Sequence, residues 1–420
     1  MHQLTGLRIA FGSAPRHRRA VTLPCSLGLV ALIGTALVGQ AEDWPHWRGP
    51  AYDGISQESD WQANWPANGP KQLWRAPVGV GYSSMSVSNG RVFTMGNKDD
   101  VDLVSAFDAV TGKPLWVHKY DCEAKDPNGY HGTRVTPTAD GSRVYTLSRH
   151  GHLFCLDAAS GKVVWSKHFM SDYGAEDPRW GFSGSPLVFG DLLITEVGGA
   201  GSTVVAFDKS TGREVWKAGQ DKVAYSSIVP YGPTGAESLA EFSAAGIVGR
   251  SPKDGAELWR AEWKTSYDVN AATPIITDGK VFVSSGYGKG CALIDFSGGA
   301  TKTLWENKKM RNHVGTCILV DGHLYGFDEK ELKCLDLATG EEKWAERKYG
   351  KGSLLLAGKH WILYGDRGYL AVADLTPSGC QELAGFQAME GKDTWAVPVL
   401  ANGLLYCRNL DELACFDVRP

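Results

Sequence analysis

One phrase recurs eight times along this chain of 420 residues: a short apolar strand, a tight glycine turn, a second strand, a third ending near Asp, a Thr-Gly turn, and a strand closing on Trp. Four copies agree almost residue for residue: Phe107-Asp108 to Trp116, Leu156-Asp157 to Trp165, Phe207-Asp208 to Trp216 and Leu335-Asp336 to Trp344, each with Asp eight residues before Trp. A four-stranded unit repeating every roughly 40 to 50 residues cannot bury its apolar face alone, and stacking such units radially makes a β-propeller. The expected fold is therefore all-β, built from four-stranded antiparallel blades.

The looser copies keep the rhythm through Trp259, Trp305 and Phe386, which gives seven full blades. An eighth starts at Thr394-Trp395, passes Asn402-Gly403, and stops after Asp417 before any fourth strand. The missing piece lies at the other end, where Lys71-Gln-Leu-Trp74-Arg-Ala-Pro-Val matches a closing strand with no blade before it. An open edge invites aggregation, so the expectation is an eight-bladed ring over 71–420, closed by pairing that N-terminal strand with the last blade. The fourth copy, Ala224 to Trp259, lacks the Asp-Gly hairpin and carries Ser251 at the Asp position; it is still expected to form a blade, with an irregular loop around Tyr231 to Gly235.

Local chemistry supports strands. Asn89-Gly90, Asp140-Gly141, Gly190-Asp191, Asp278-Gly279 and Asp321-Gly322 each precede a β-rich run and suit tight hairpins. In the second turn, Asp-x-x-Thr/Ser-Gly, the polar side chains hold the backbone and Gly takes the left-handed position. An Asp or a Trp present in nearly every copy is read as architecture, because chemistry does not need one in every blade.

Residues 1–41 are different material. Arg8, Arg16, Arg18 and Arg19 precede an apolar run from Ala20 to Val38, and Gly39-Gln-Ala41 offers small residues before Glu42, the pattern of a secretory signal, with an uncleaved anchor as the alternative. A periplasmic or secreted location follows, with membrane contact only through such an anchor. Residues 42–70, rich in Trp, Pro and Gly, read as a strap over the ring. Removing the four leader Arg from 43 basic residues leaves 39 against 47 acidic ones, and a net charge near −8 disfavours nucleic acid as a partner. Cys155, Cys334 and Cys415 share one apolar strand position on different blades and read as small buried hydrophobes; Cys122, Cys291, Cys317, Cys380 and Cys407 leave room for a disulfide whose pairing the sequence does not fix. A monomer is expected.

The segments Gly151-His-Leu-Phe-Cys-Leu-Asp-Ala-Ala-Ser-Gly-Lys-Val-Val-Trp165 and Leu332-Lys-Cys-Leu-Asp-Leu-Ala-Thr-Gly-Glu-Glu-Lys-Trp344 resemble the pyrroloquinoline-quinone-type repeat. That repeat is shared by quinoprotein alcohol dehydrogenases and by the non-enzymatic outer-membrane assembly factor BamB. The opening Trp44-Pro-His-Trp47-Arg-Gly-Pro50 resembles exported quinone-like propellers. The resemblance spans 42–420 and speaks to the fold far more than to an activity.

In a propeller, the residues just before each innermost strand gather at one mouth of the central channel. Read copy by copy they are Tyr82-Ser83-Ser84, His131 to Arg134, Trp180 to Ser183, Tyr225-Ser226-Ser227, Tyr267 to Asn270, Asn312-His313, Lys351 to Ser353 and Thr394-Trp395. Flat faces with a few placed donors and acceptors suit a small molecule. Resemblance to the quinoproteins implies pyrroloquinoline quinone with calcium: Asp268 as base and, with Asn270, metal ligand; Arg134 on the quinone oxygens; Trp180 or Trp395 stacked on the ring; and Tyr82, His131, Asn312 and His313 around it. The chain departs from that pattern. It has no adjacent-cysteine pair, no haem-attachment motif, and a single carboxylate in the mouth set. The leading expectation is therefore a non-catalytic binding or interaction scaffold of the bacterial envelope, partnered by an envelope protein or a small molecule at the mouth; the alternative is a quinone- and calcium-dependent alcohol dehydrogenase.

Overall fold

The computed structural model describes residues 42–126 and 129–420, so the predicted export signal lies outside the described residues. Eight antiparallel sheets of four strands follow one another in sequence, and a two-residue strand, Ile55–Ser56, adds in parallel to the seventh. Blades 1 to 7 begin with the strands Ser86–Ser88, Thr138–Asp140, Leu187–Phe189, Val229–Tyr231, Ile275–Thr277, Ile318–Val320 and Gly352–Ala357. Blade 8 has three strands from the C-terminus, Val399–Ala401, Leu404–Arg408 and Glu412–Asp417, and takes its fourth, Lys71–Pro77, from the N-terminus. Lys71 lies opposite Asp417 and Pro77 opposite Glu412, which is the closure expected from the split copy.

The hairpins follow the turn chemistry. Asn89, Asp278, Asp321 and Asn402 and the Gly after each have positive φ, the geometry that matches strand twist. Blade 2 differs from expectation by one position: Asp140 pairs with Arg143, so the turn is Gly141-Ser142, with Gly at the first central place. Blade 4 is intact despite its degenerate sequence; Val229–Tyr231 and Ser238–Phe242 pair across the loop 232–237.

The repeated Asp and Trp serve turns and seams. Asp208 Oδ1 accepts from the backbone N–H and hydroxyl of Ser210 and of Thr211, at 2.6 to 3.0 Å, and Asp108, Asp157 and Asp336 hold their turns in the same way. Each closing Trp reaches the next blade: Trp116 Nε1 donates to Ala158 O, Trp165 to Lys209 O, Trp216 to Pro252 O, Trp305 to Leu337 O, and Trp74 of the closing strand to Ala109 O. The turn glycine is required twice over. Gly212 has φ +71, and a Cβ there would lie 2.7 Å from the Trp165 ring. Where the motif is lost, the seam changes with it: Trp259 stacks on Phe296 at 4.3 Å, and Phe386 is covered by Gly69 of the strap. Burying an aromatic in each seam is worth about 2–3 kcal/mol apiece. All eight cysteines among the described residues are free thiols.

The strap crosses the face opposite the mouth. It bonds to the far ends of innermost strands, with Trp44 bridging Val87, Pro45 O accepting from Ala139 N, and Ile55–Ser56 pairing Leu356 and Ala357. Its Trp-Arg-Gly corner is self-consistent: Gly49 has φ +75 beneath the Trp44 ring, while the buried Arg48 guanidinium donates to the carbonyls of Tyr52, Asp53 and Cys317.

Candidate functional site

At the mouth, segments that enter the innermost strands bring together side chains far apart in sequence. Tyr82 and Trp395 stack at 5.1 Å between ring centres, joining the first blade to the last. His313 stands edge-on to Trp395 and to Tyr287, Tyr287 lies parallel to Trp180 at 6.3 Å, and Trp180 meets Tyr225 edge-on at 5.7 Å. The result is a cavity of about 170 Å³, open to solvent, with aromatic walls, serine and threonine hydroxyls from Thr136, Ser183, Ser185 and Ser227, and the Trp47 indole of the strap. Trp47 reaches the channel from the opposite face and is anchored by its Nε1–H to Thr273 Oγ1 at 2.9 Å.

The walls are held from behind. Arg408 is wholly buried, and its guanidinium donates to six backbone carbonyls, those of Ser83, Met95, Gly79, Gly81, Asn409 and Leu410, which brackets Tyr82. On the far lip the backbone is strained: Tyr267, Asp268 and Tyr287 have φ of 64°, 60° and 52°, and Arg179 lies over the Tyr267 ring at 4.7 Å. Left-handed tyrosines persist only where surrounding structure enforces them, and such strain clusters at ligand sites.

The charges in the walls are already matched. Arg134 Nη2 sits 3.2 Å from Asp126, donates to Tyr130 O at 2.6 Å, and lies over the Tyr82 ring. Burial and the neighbouring Arg149 lower it to about 10, so it stays cationic at neutral pH. Lys351 Nζ lies 2.8 Å from His313 Nδ1, 3.6 Å from Glu329, and over the face of Trp395. Burial, reinforced by the Lys351 charge, pushes His313 down to about 4, which leaves its Nδ1 as an acceptor for the ammonium. Burial pushes the Tyr82 and Tyr225 hydroxyls up to about 12, so both are neutral donors.

Of the residues read from the sequence, Tyr82, Arg134, Trp180, His313 and Trp395 line the cavity together. Four others stand elsewhere. His131 is exposed and its Nδ1 accepts from Asp126 N. Asn312 is buried, donating to Phe327 O and accepting from the Cys317 thiol. Asn270 is fully buried, with both Nδ2 hydrogens given to Ser243 O and Trp263 O and its Oδ1 accepting from Ser285 Oγ. Asp268 is exposed on the strained lip, outside the lining. Calcium needs six to eight oxygens, several of them carboxylates. No carboxylate lines this cavity, and among the described residues no cluster of His, Cys, Asp and Glu converges to hold a metal. The flat walls fit a planar ring; the donor set does not fit calcium beside it.

Tyr130, Tyr287 and Trp47 were missing from the sequence-based site. Tyr287 sits in the turn between second and third strands, which also faces the mouth, and its signal was the bare Gly286-Tyr287-Gly288. Trp47 arrives by the strap, whose path no repeat position foretells.

The family model described as outer membrane protein assembly factor BamB matches residues 102–346. An outer membrane protein assembly factor BamB from Burkholderia pseudomallei is 25% identical over 66% of this chain and 69% of its own length. A quinoprotein ethanol dehydrogenase from Pseudomonas aeruginosa is 26% identical over 35% of this chain, but only 25% of its own length is covered. Among solved structures, a quinohemoprotein alcohol dehydrogenase from Comamonas testosteroni superposes with a TM-score of 0.70 at 13% identity, covering 89% of this chain and 80% of that one, a likeness of fold alone.

Proposed function

We propose, for a chain that belongs to the outer membrane protein assembly factor BamB family of quinone-type repeat propellers, that it is an exported scaffold of the cell envelope which binds through its aromatic funnel and performs no chemistry there. The observation that carries this reading is the funnel wall itself: aromatic faces and hydroxyls without a lining carboxylate, with the lining cation Arg134 beside the buried Asp126. Such a wall binds by stacking and hydrogen bonding and offers no base of raised pKa to take a proton. Relatives named for outer membrane protein assembly support an envelope protein as the partner, and the strained, exposed Tyr267 and Tyr287 give it a rigid aromatic lip to grip.

A second reading has one observation in its favour, the superposition on an alcohol dehydrogenase whose fold is matched over most of this chain. Pyrroloquinoline quinone would stack on Trp180 or Trp395 with Arg134 near its oxygens; bound, it would supply a hydride acceptor. The missing calcium ligands weigh against turnover.

A photo-crosslinking side chain at Tyr287, introduced in living cells, tests the proposal. The expected result is a crosslink to an envelope protein that is lost in Trp180→Ala. Equal capture from the outer-rim position Val215, or capture unaffected by Trp180→Ala, would overturn it.

A further inference from the structure

Behind the wall that carries Tyr225, blades 3 and 4 bury a set of charges that the funnel does not use. Glu241 and Arg250 are wholly enclosed on neighbouring strands of blade 4 and joined through Glu241 Oε2 and Arg250 Nε. Glu196 ends the second strand of blade 3, is nearly as buried, and its Oε2 accepts from Ala224 N at 3.2 Å. Asp221, from the link between the blades, accepts from Arg260 Nη1 at 2.7 Å and from Ser243 Oγ at 2.8 Å. Arg260 turns its other nitrogens outward to the exposed Glu257.

Three carboxylates, the buried Glu196 and Glu241 and the partly exposed Asp221 at their edge, thus meet two guanidiniums, the buried Arg250 and the half-exposed Arg260. Three buried atoms also have no hydrogen-bond partner: Glu196 Oε1, Glu241 Oε1 and Arg250 Nη2. Leaving carboxylate oxygens without donors in a dry interior is costly, and so is an unmatched charge. One proton removes the excess charge and creates the missing donor together.

We propose that Glu196 is protonated at neutral pH and shares that proton with Glu241, forming a proton-dependent clasp between blades 3 and 4 that positions Tyr225 in the funnel wall. Arg250 decides the placement: its guanidinium holds the negative charge on Glu241, so the proton rests on Glu196. Burial pushes both carboxyls upward, and the charge of Glu241 pushes Glu196 further. Ala224, whose N–H the clasp receives, immediately precedes Tyr225, and Tyr225 N in turn donates to Asn270 O across to blade 5. Because folding favours the protonated form, the stabilisation is full below the ordinary carboxylate range and is lost as pH rises through the raised value. The inference stands whatever the funnel binds.

Melting temperature followed from about pH 6 to about pH 9 separates the cases. Glu196→Gln, which carries a permanent donor, is expected to melt no lower than the parent at neutral pH and to decline less steeply as pH rises. Glu241→Gln strips Arg250 of its partner and is expected to melt lower throughout. In the parent, hydrogen-exchange protection at Ala224 and Tyr225 should fall about tenfold over the same range, and in Glu196→Gln it should not. Should that variant fail to fold, infrared spectroscopy of the parent still decides, since the account requires a buried protonated carboxyl band at neutral pH. Equal pH slopes in parent and Glu196→Gln, or absence of that band, would overturn the proposal.

Discussion

The outer seams and the inner mouth of this ring are built by opposite rules. At the seams, Trp165 over Gly212 repeats what Trp116 does over Gly161 and Trp74 over Gly112, down to the indole N–H on a backbone carbonyl. At the mouth, the same structural position holds Tyr82, Arg134, Trp180, Tyr225, His313 and Trp395, and only the Tyr-Ser-Ser of Tyr82 and of Tyr225 recurs. Repetition marks what every blade needs to stay closed. Variation falls where no seam depends on the residue, at the mouth proposed to bind, and there strained tyrosines and matched buried charges are kept at a cost in stability.

The comparison can be broken at its strongest point by removing residues 71–78. Without that strand Glu412–Asp417 loses its outer partner, and the variant should aggregate or lose cooperative melting. A deletion that melts as sharply as the parent would place ring closure elsewhere. Next in size is the contrast between two tryptophans. Trp165→Ala should cost about 3–5 kcal/mol in denaturant unfolding, whereas Trp180→Ala, on the open wall, should cost about 1 kcal/mol or less while weakening binding. Equal losses at both sites would erase the distinction between seam and mouth.

Smaller again is Gly212→Ala, expected to cost about 1–3 kcal/mol because it forces a side chain into left-handed backbone and against the Trp165 ring; a melt indistinguishable from the parent would show that the turn yields. The smallest effect concerns acid. Hydroxyl and amide donors of Ser210 and Thr211 hold Asp208 down at about 2, so its contribution is complete above the ordinary carboxylate range and is lost as pH falls towards 2. Asp208→Ala should therefore melt slightly lower than the parent near neutral pH, and the gap should close in acid.

Much of the ring was legible in the sequence because its signals are local and repeated. The Asp-to-Trp spacing, the Asn-Gly turns and the orphan strand at Lys71 each follow from short-range chemistry, and even blade 4 survives the loss of its Asp because its flanking strands still pair. The site was legible only in part. Reading the position before each innermost strand found nine of the lining residues, Ser183, Tyr225 and Ser227 among them, but it treated neighbours in sequence as neighbours in the cavity. Asn270 and Asn312 instead turn away to satisfy backbone carbonyls that a buried loop would otherwise orphan. Tyr287 and Trp47 come from a different turn and from the strap, whose approach to the channel is a tertiary matter that periodicity does not encode.

The most direct test of a binding funnel without chemistry is a turnover assay. Purified protein, incubated with pyrroloquinoline quinone and calcium and given a primary alcohol and an artificial electron acceptor, should show no alcohol-dependent reduction of the acceptor, because the cavity lacks carboxylates for both a calcium site and a base. Alcohol-dependent, saturable reduction of the acceptor would contradict the account.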